Sequence, residues 1–189
     1  MTQCKDVETM EATAAIKSLI SSFFDAINAA DTQALQALFV EQAHVVIVRQ
    51  DPPLPPPSCL NESVSPKHRC EGKPGRESAP RGAGEETLTV VIRTSIERFV
   101  KLLEEGKKRR EGRPVPVIDE KPDLVATDIK VDGLFGVAWS PFQVTFDGVL
   151  HHYGTMVFTV GKMTSRIGKK EWKIEGLTQN YRRTPGWEK

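Results

Sequence analysis

Histidine is the side chain in this sequence best suited to moving a proton near neutral pH. There are four, and two of them, His151 and His152, are adjacent and followed by Tyr153. Neighbouring residues on a regular strand point to opposite faces, so both imidazoles can face one cavity only if the strand carries a bulge. His152, Gly154, Met156 and Phe158 share one alternation set; His151, Tyr153, Thr155 and Val157 share the other. The first set is expected to face inward. His152 would then act as a base or hydrogen-bonding group, Met156 and Phe158 would supply apolar lining, and Gly154 would leave space beside the ring. Tyr153 is the competing pocket donor. The plain alternatives are a sheet histidine satisfied by a neighbour and a packed tyrosine. His44 with Asp25 could form an oriented base–acid pair at the mouth of such a cavity. Asp25, however, interrupts an apolar stripe and suits solvent better. Trp139, Phe142 and Phe146 could line a cavity for a flat ligand, or pack a core or a dimer face. Arg49 and Arg182 could meet an acidic ligand.

Other chemistries lack their residues. No HExxH, EF-hand loop or close Cys/His cluster is present, so no metal and no cofactor are expected. There is no P-loop, no GxGxxG and no GxSxG elbow. Cys4, Cys59 and Cys70 are odd in number and irregular in spacing, which suits thiols in a reducing compartment better than a disulfide framework.

These candidates must be positioned by elements that the pattern predicts. Ile16, Leu19, Ile20, Phe23, Phe24 and Ile27 fall at helical spacing over Thr13 to Ala30. Asp31 reads as the N-cap of a short helix carrying Leu35, Leu38 and Phe39. Ala43 to Arg49 reads as a strand. From Asp51 to Thr87 the composition breaks, with eight prolines and four glycines, and a flexible insertion is expected there. Leu88 to Arg93 is a strand or an extended lead-in. Thr94 and Glu97 fit a capping box for a helix with Ile96, Phe99, Val100 and Leu103 on its buried face, ending near Gly106. Lys107, Lys108, Arg109 and Arg110 follow as a solvated exit; a phosphate-binding or nuclear-import patch is the sharper alternative. Strands are expected at Leu124 to Val131, Leu134 to Phe146, Val149 to Val160 and Glu171 to Tyr181, with turns at Asp132-Gly133 and Asp147-Gly148. Pro141 argues for an edge or a bulge. Helices on one face of an antiparallel sheet make an α+β fold.

The whole has 189 residues, 39% hydrophobic and 27% charged, with a formal net charge of +1. One domain spanning 1–189 is expected, with 51–87 inserted in it. The near-neutral balance offers no field for nucleic acid or an anionic membrane. No apolar run reaches transmembrane length, and no secretory leader is visible, so a cytoplasmic protein is expected.

The order helix, short helix, strand, helix and four long strands resembles the nuclear-transport-factor-2-like superfamily. Phe24-Asp25-Ala26-Ile27-Asn28-Ala29-Ala30-Asp31 resembles the helix end and opening Asp of SnoaL-like members. Leu134 to Ser140, Asp147-Gly148, His152-Tyr153-Gly154 and Phe158 resemble the strand pair of a SnoaL-like, lumazine-binding-like branch, and Trp172-Lys173-Ile174, Thr178 and Arg182-Arg183 its last strand. The resemblance implies a strongly curved sheet wrapped around the N-terminal helices as a cone. It also implies an apolar pocket at the open end for a small hydrophobic ligand, and a homodimer. Members of the superfamily serve as isomerases, dehydratases, cyclases or binding modules, so the fold does not choose among them. Matched to the steroid isomerases, Phe23 stands where a tyrosine would donate, Ile47 where the base would stand, and Tyr153 where a protonated acid would stand. Phe23 and Ile47 cannot perform those steps. The expected ligand-binding set is therefore His152, Tyr153, Met156, Phe158, Trp139 and Phe23, with His152, His44 and Asp25 as catalytic candidates.

Overall fold

The structure, a computed structural model, describes residues 2–51, 87–164 and 168–184, and the side chains from residue 7 onward. The long helix α1 runs Thr2–Asn28, starting well before the periodic stripe because the preceding polar turns simply continue it. Ile16, Leu19, Ile20, Phe23 and Phe24 are all buried, as their spacing requires. Ala30 then takes a positive φ of 50° and turns the chain. Asp31 caps α2 (Thr32–Ala37), its Oδ1 accepting from the Ala34 amide at 2.9 Å.

Phe39, expected at the end of that short helix, instead opens strand β1 (Phe39–Asp51). Strand β2 (Thr87–Ser95) pairs with it antiparallel, and Thr94 lies opposite Val45 in that ladder. Thr94 is therefore a strand residue and not the expected cap. Ser95 caps α3 (Ile96–Arg110), its Oγ accepting from the Arg98 amide at 3.2 Å. Glu97 pairs forward with Lys101 at 2.8 Å rather than reaching back. Helix α3 also does not end at Gly106. Its last turn is the basic quartet itself, where positive charge meets the negative end of the helix dipole.

The strand expected at Leu124 to Val131 is partly a turn, with the Asp123 carboxylate accepting from Val125 and Ala126. The strand proper is β4 (Asp128–Asp132). A short strand β3 (Ile118–Pro122) precedes it. The remaining strands are β5 (Phe135–Phe146), β6 (Val149–Thr164) and β7 (Lys170–Arg183). Strand β6 outruns its expected end at Val160, because it continues to pair with β7 as far as Thr164 opposite Lys170. Asp147 and Gly148 both take positive φ, 51° and 80°, as a tight hairpin demands.

Among the described residues the sheet has seven strands in the order β2-β1-β7-β6-β5-β3, with β4 continuing beside β5. It is mixed rather than a pure antiparallel meander, because β1 runs parallel to β7. Pro141 sits in the interior strand β5, where its missing N–H is accommodated by a seam. Strand β3 ends opposite Phe142, β4 begins opposite Trp139, and between them the Pro141 carbonyl accepts from the Asp123 amide at 2.8 Å. The curved sheet is not closed, and its concave face holds the core against α1, α2 and α3. This is the expected α+β cone.

The expected insertion falls, but for its first and last residues, outside the described residues, as do Cys59, Cys70 and His68. The two flanks are cross-strand partners, Asp51 opposite Thr87. A short turn can therefore replace residues 52–86 without moving either strand. Loop-closure entropy favours the shorter connection by about 0.6 kcal/mol per halving. A chain with that segment replaced by a short Gly/Ser turn is expected to melt within ~5 °C of the parent or above it. A lower melting temperature in differential scanning calorimetry would show that the segment contributes to the core, since 1 kcal/mol corresponds to roughly 2–4 °C at this size.

Candidate functional site

The alternation on β6 is the one its residue types demand. Met156, Phe158 and Val160 are buried on the concave face. Tyr153 is 44% exposed on the outer face, and so is Trp139 at 57%, opposite Val157. Neither joins His152, contrary to their expected places in one pocket. Phe23, Met156 and Phe158 are on the concave side but are at most 2% exposed. Phe23 meets Phe24, Phe39 and Phe158 edge-on, at ring-centroid distances of 5.3, 6.1 and 5.4 Å. These rings fill the depth of the cone.

His44 and Asp25 are also not brought together. His44 is exposed on the outer set of β1, its ring over Gly176 of β7, and Asp25 is exposed on α1. Gly154 does not leave room for a ligand either. A Cβ there would stand 1.9 Å from the Asn180 carbonyl oxygen and 2.8 Å from Tyr181 Cα, so the β7 backbone already occupies that space.

Polar groups gather instead where β5, β6 and β7 run past the C-terminal end of α1. Here the regular alternation breaks. Val144 pairs with His152, but Thr145 pairs with Leu150, leaving His151 as the extra residue of a bulge. Thr184 holds that bulge: its amide donates to the His151 carbonyl at 3.0 Å, and its hydroxyl contacts the carbonyls of Leu150 and His151. The bulge turns both imidazoles to one side. Their Nδ1 atoms are 2.7 Å apart, so one ring donates to the other. His151 stacks on Phe146 at 4.1 Å with the rings 7° from parallel. His152 packs against Phe142 and, at 4.9 Å, Tyr181.

Burial, then the neighbouring His151 and Arg183, hold His152 down at about 4. Burial and Arg183 lower His151 as well. With both lowered from the ordinary histidine value the pair is neutral near pH 7, and a second proton would in addition place two cations across a 2.7 Å contact.

The acid that the spacing did not reveal is Glu120. On β3 it lies opposite Val144, which lies opposite His152, which lies opposite Arg183. Glu120, Val144 and His152 thus form one row across the concave face, the outer two about 10 Å apart at the backbone. Its Oε1 is fully enclosed and has no hydrogen-bond partner, and burial pushes the carboxyl up to about 7. The Glu120 backbone is clamped to the end of α1: Asn28 Nδ2 donates to its carbonyl and the Glu120 amide donates to Asn28 Oδ1, both at 2.8 Å. The sequence signal was faint. Ile118, Glu120 and Pro122 are one alternation set, and an acid between two apolar residues in a strand was the only sign of burial.

Among the described residues no group of three or more His, Cys, Asp or Glu is placed to hold a metal ion, and no helix is long and apolar enough to cross a membrane.

The two displaced acidities oppose each other in pH dependence. Glu120 binds its proton more tightly folded than unfolded, so its contribution to stability is complete below about pH 4.5 and is lost as pH rises through about 7. His152 binds its proton less tightly folded, so its contribution is complete above about pH 6.5 and is lost as pH falls through about 4. Glu120→Gln is therefore expected to gain stability relative to the parent as pH rises from 5 to 8. His152→Asn is expected to gain relative to the parent as pH falls from 6.5 to 4.5. Urea unfolding across that range measures both, and parallel stability curves for parent and variants would contradict the assignment.

No family model and no curated protein matches the chain. Solved structures do. The beta subunit of a candidate aromatic-ring-hydroxylating dioxygenase from Novosphingobium aromaticivorans superimposes with a TM-score of 0.58 at 13% identity, over 92% of this chain and 91% of that one. An NTF2-like protein with a cystatin-like fold from the same organism gives 0.54 at 12%, over 97% and 89%. A candidate scytalone dehydratase, also from that organism, gives 0.53 at 17%, over 97% and 89%. Similarity at this level of identity speaks for architecture and leaves the chemistry to the residues described above. With its helices, its curved unclosed sheet and these neighbours, the chain has the nuclear-transport-factor-2-like fold.

Proposed function

We propose that the protein binds a small, partly apolar organic molecule at the open end of its concave face, where it can exchange a proton with that molecule. The observation that carries this reading is Glu120, whose Oε1 is enclosed and has no hydrogen-bond partner among the described residues, in one cross-strand row with the bulge-paired histidines. An acid with a pKa near 7 can give or take a proton at neutral pH, which an exposed carboxylate cannot do efficiently. The neutral histidine pair supplies a donor and an acceptor but is too weakly basic to be the main proton acceptor. Phe146 and Tyr181 offer flat apolar surface, and Arg183 favours some negative charge on the ligand. The reaction class that fits is isomerisation or dehydration by proton transfer, without covalent attachment.

The test is a fragment library screened by ligand-observed NMR against the parent and single variants. Hits are expected to weaken in His151→Ala, His152→Ala and Glu120→Gln, each hydrogen bond accounting for about 0.5–1.5 kcal/mol, or roughly 2- to 12-fold. Tyr153→Phe, on the outer face, is expected to leave them unchanged. Hits that respond only to Tyr153→Phe would overturn the reading.

A second reading concerns assembly. Trp139, Tyr153 and Phe135 are exposed on the outer side of β5 and β6. A second copy of the chain pairing across that face would cover them, and closed two-fold pairing is the commonest assembly. Sedimentation equilibrium at micromolar concentration is expected to give twice the 21.0 kDa chain mass. Trp139→Lys is expected to shift the protein toward the single chain, and a parent that sediments only as a monomer refutes the pairing.

A further inference from the structure

A cavity of about 520 Å³ opens on the helical side of the molecule, where the end of α1 meets α2, the last turn of α3 and the segment 111–118. It lies in the size range of small-molecule sites. Its lining is mostly apolar and includes Ile27, Leu35, Leu103 and Ile118; Leu35 is only 1% exposed. Val115 contributes to the wall while remaining 44% exposed, an apolar surface that an apolar occupant would cover. The cavity contains neither of the paired histidines nor Glu120.

The rim carries a specific charge pattern. Lys107 and Arg110 are three residues apart on α3 and both line the opening. Upstream on the same helix the acids are occupied. Glu97 pairs with Lys101, Glu105 pairs with Arg98, and Glu104 accepts from the Thr32 hydroxyl. Asp31, also on the lining, spends its carboxylate capping α2. Glu111 is the one further acid at the rim. The last turn of α3 therefore presents four consecutive cations, and Lys107 has no hydrogen-bond or ion-pair partner among the described residues. Arg110 uses Nε on the Gly106 carbonyl at 3.1 Å, which leaves its terminal nitrogens for an anion. The helix dipole explains why cations are tolerated here. It does not explain why two of them border an apolar cavity.

We propose that this cavity is a binding site for an amphipathic carboxylate, such as a medium-chain fatty acid or an aryl-alkyl acid. The chain or ring lies against Leu35, Leu103 and Val115, and the carboxylate meets Lys107 and Arg110. Charge-assisted hydrogen bonds to Arg and Lys are the stronger kind, and a carboxylate matches the guanidinium fork.

The test is isothermal titration calorimetry with decanoate below its micelle concentration, and with decanol as the uncharged counterpart. Decanoate is expected to bind the parent at least tenfold more tightly than decanol. The double variant Lys107→Ala/Arg110→Ala is expected to remove that tenfold preference. Val115→Glu, at an exposed position that the fold tolerates, is expected to abolish binding of both compounds. His152→Ala is expected to leave both affinities unchanged, which separates this site from the one at the open end of the sheet. No binding to the parent would overturn the proposal, as would equal affinity for decanoate and decanol. Loss of binding in His152→Ala alone would place the ligand at the histidines instead. Binding to anionic phospholipid vesicles that survives Val115→Glu would assign the basic turn to a lipid surface and overturn the cavity site.

Discussion

The edge-to-face contacts of Phe23 with Phe24, Phe39 and Phe158 are the interaction on which the rest of the molecule depends. They tie the C-terminal part of α1 to the first strand and to the central strand β6. Each ring is nearly or fully buried, so the cluster stabilises through apolar burial as well as through ring geometry. It also decides where chemistry can occur. Four aromatic rings fill the depth of the cone. Any ligand of the concave face is pushed to its open end, where the strands outrun the helix.

At that end a single extra residue changes what the side chains can do. A regular strand would have sent His151 outward beside Tyr153. The bulge turns it inward, onto Phe146 and against His152, and the Thr184 contacts to the bulged carbonyls keep it there. The result is a neutral imidazole pair in one row with an acid whose proton is retained near neutral pH. Burial displaces both groups, in opposite senses, because in each case it disfavours the charged form. The stability given up at Glu120 above neutral pH is the kind of local cost that functional positions carry.

Sequence reading was strongest where one residue type had one physical solution. The stripe from Ile16 to Phe24 could be buried only on one side of a helix. Asp31 could only cap, and Asp147-Gly148 could only turn. The assignment of Met156 and Phe158 to the concave face followed from alternation alone. What escaped were features set by distant partners. Thr94 and Ser95 are equivalent as caps until Val45 claims Thr94 for the sheet. Strand β3 is short and charged, and it becomes a strand only because β5 offers it an edge. The parallel pairing of β1 with β7 joins segments far apart in the chain and leaves no local mark. The bulge at His151 is fixed by Thr184, some thirty positions downstream, so alternation could identify the question but not the answer. Gly154 was legible as a place that needs no side chain, but not as the place where β7 needs the space.

Asn28 joins the end of α1 to strand β3. It ends α1, and its amide group makes two hydrogen bonds to the Glu120 backbone, one in each direction. It also lines the cavity beside Lys107 and Arg110. Strand β3 has five residues at the edge of the sheet, held by β5 on one side and by the end of α1 on the other. The Asn28 clamp helps hold the backbone that places the Glu120 carboxyl, and burial is what raises its pKa. A ligand that moved the end of α1 would act on that clamp first and on the acidity of Glu120 through it. The Glu120 backbone and the basic-rimmed cavity thus share one side-chain amide, and a loosened clamp that let water reach the carboxyl would lower its pKa toward that of an ordinary glutamate.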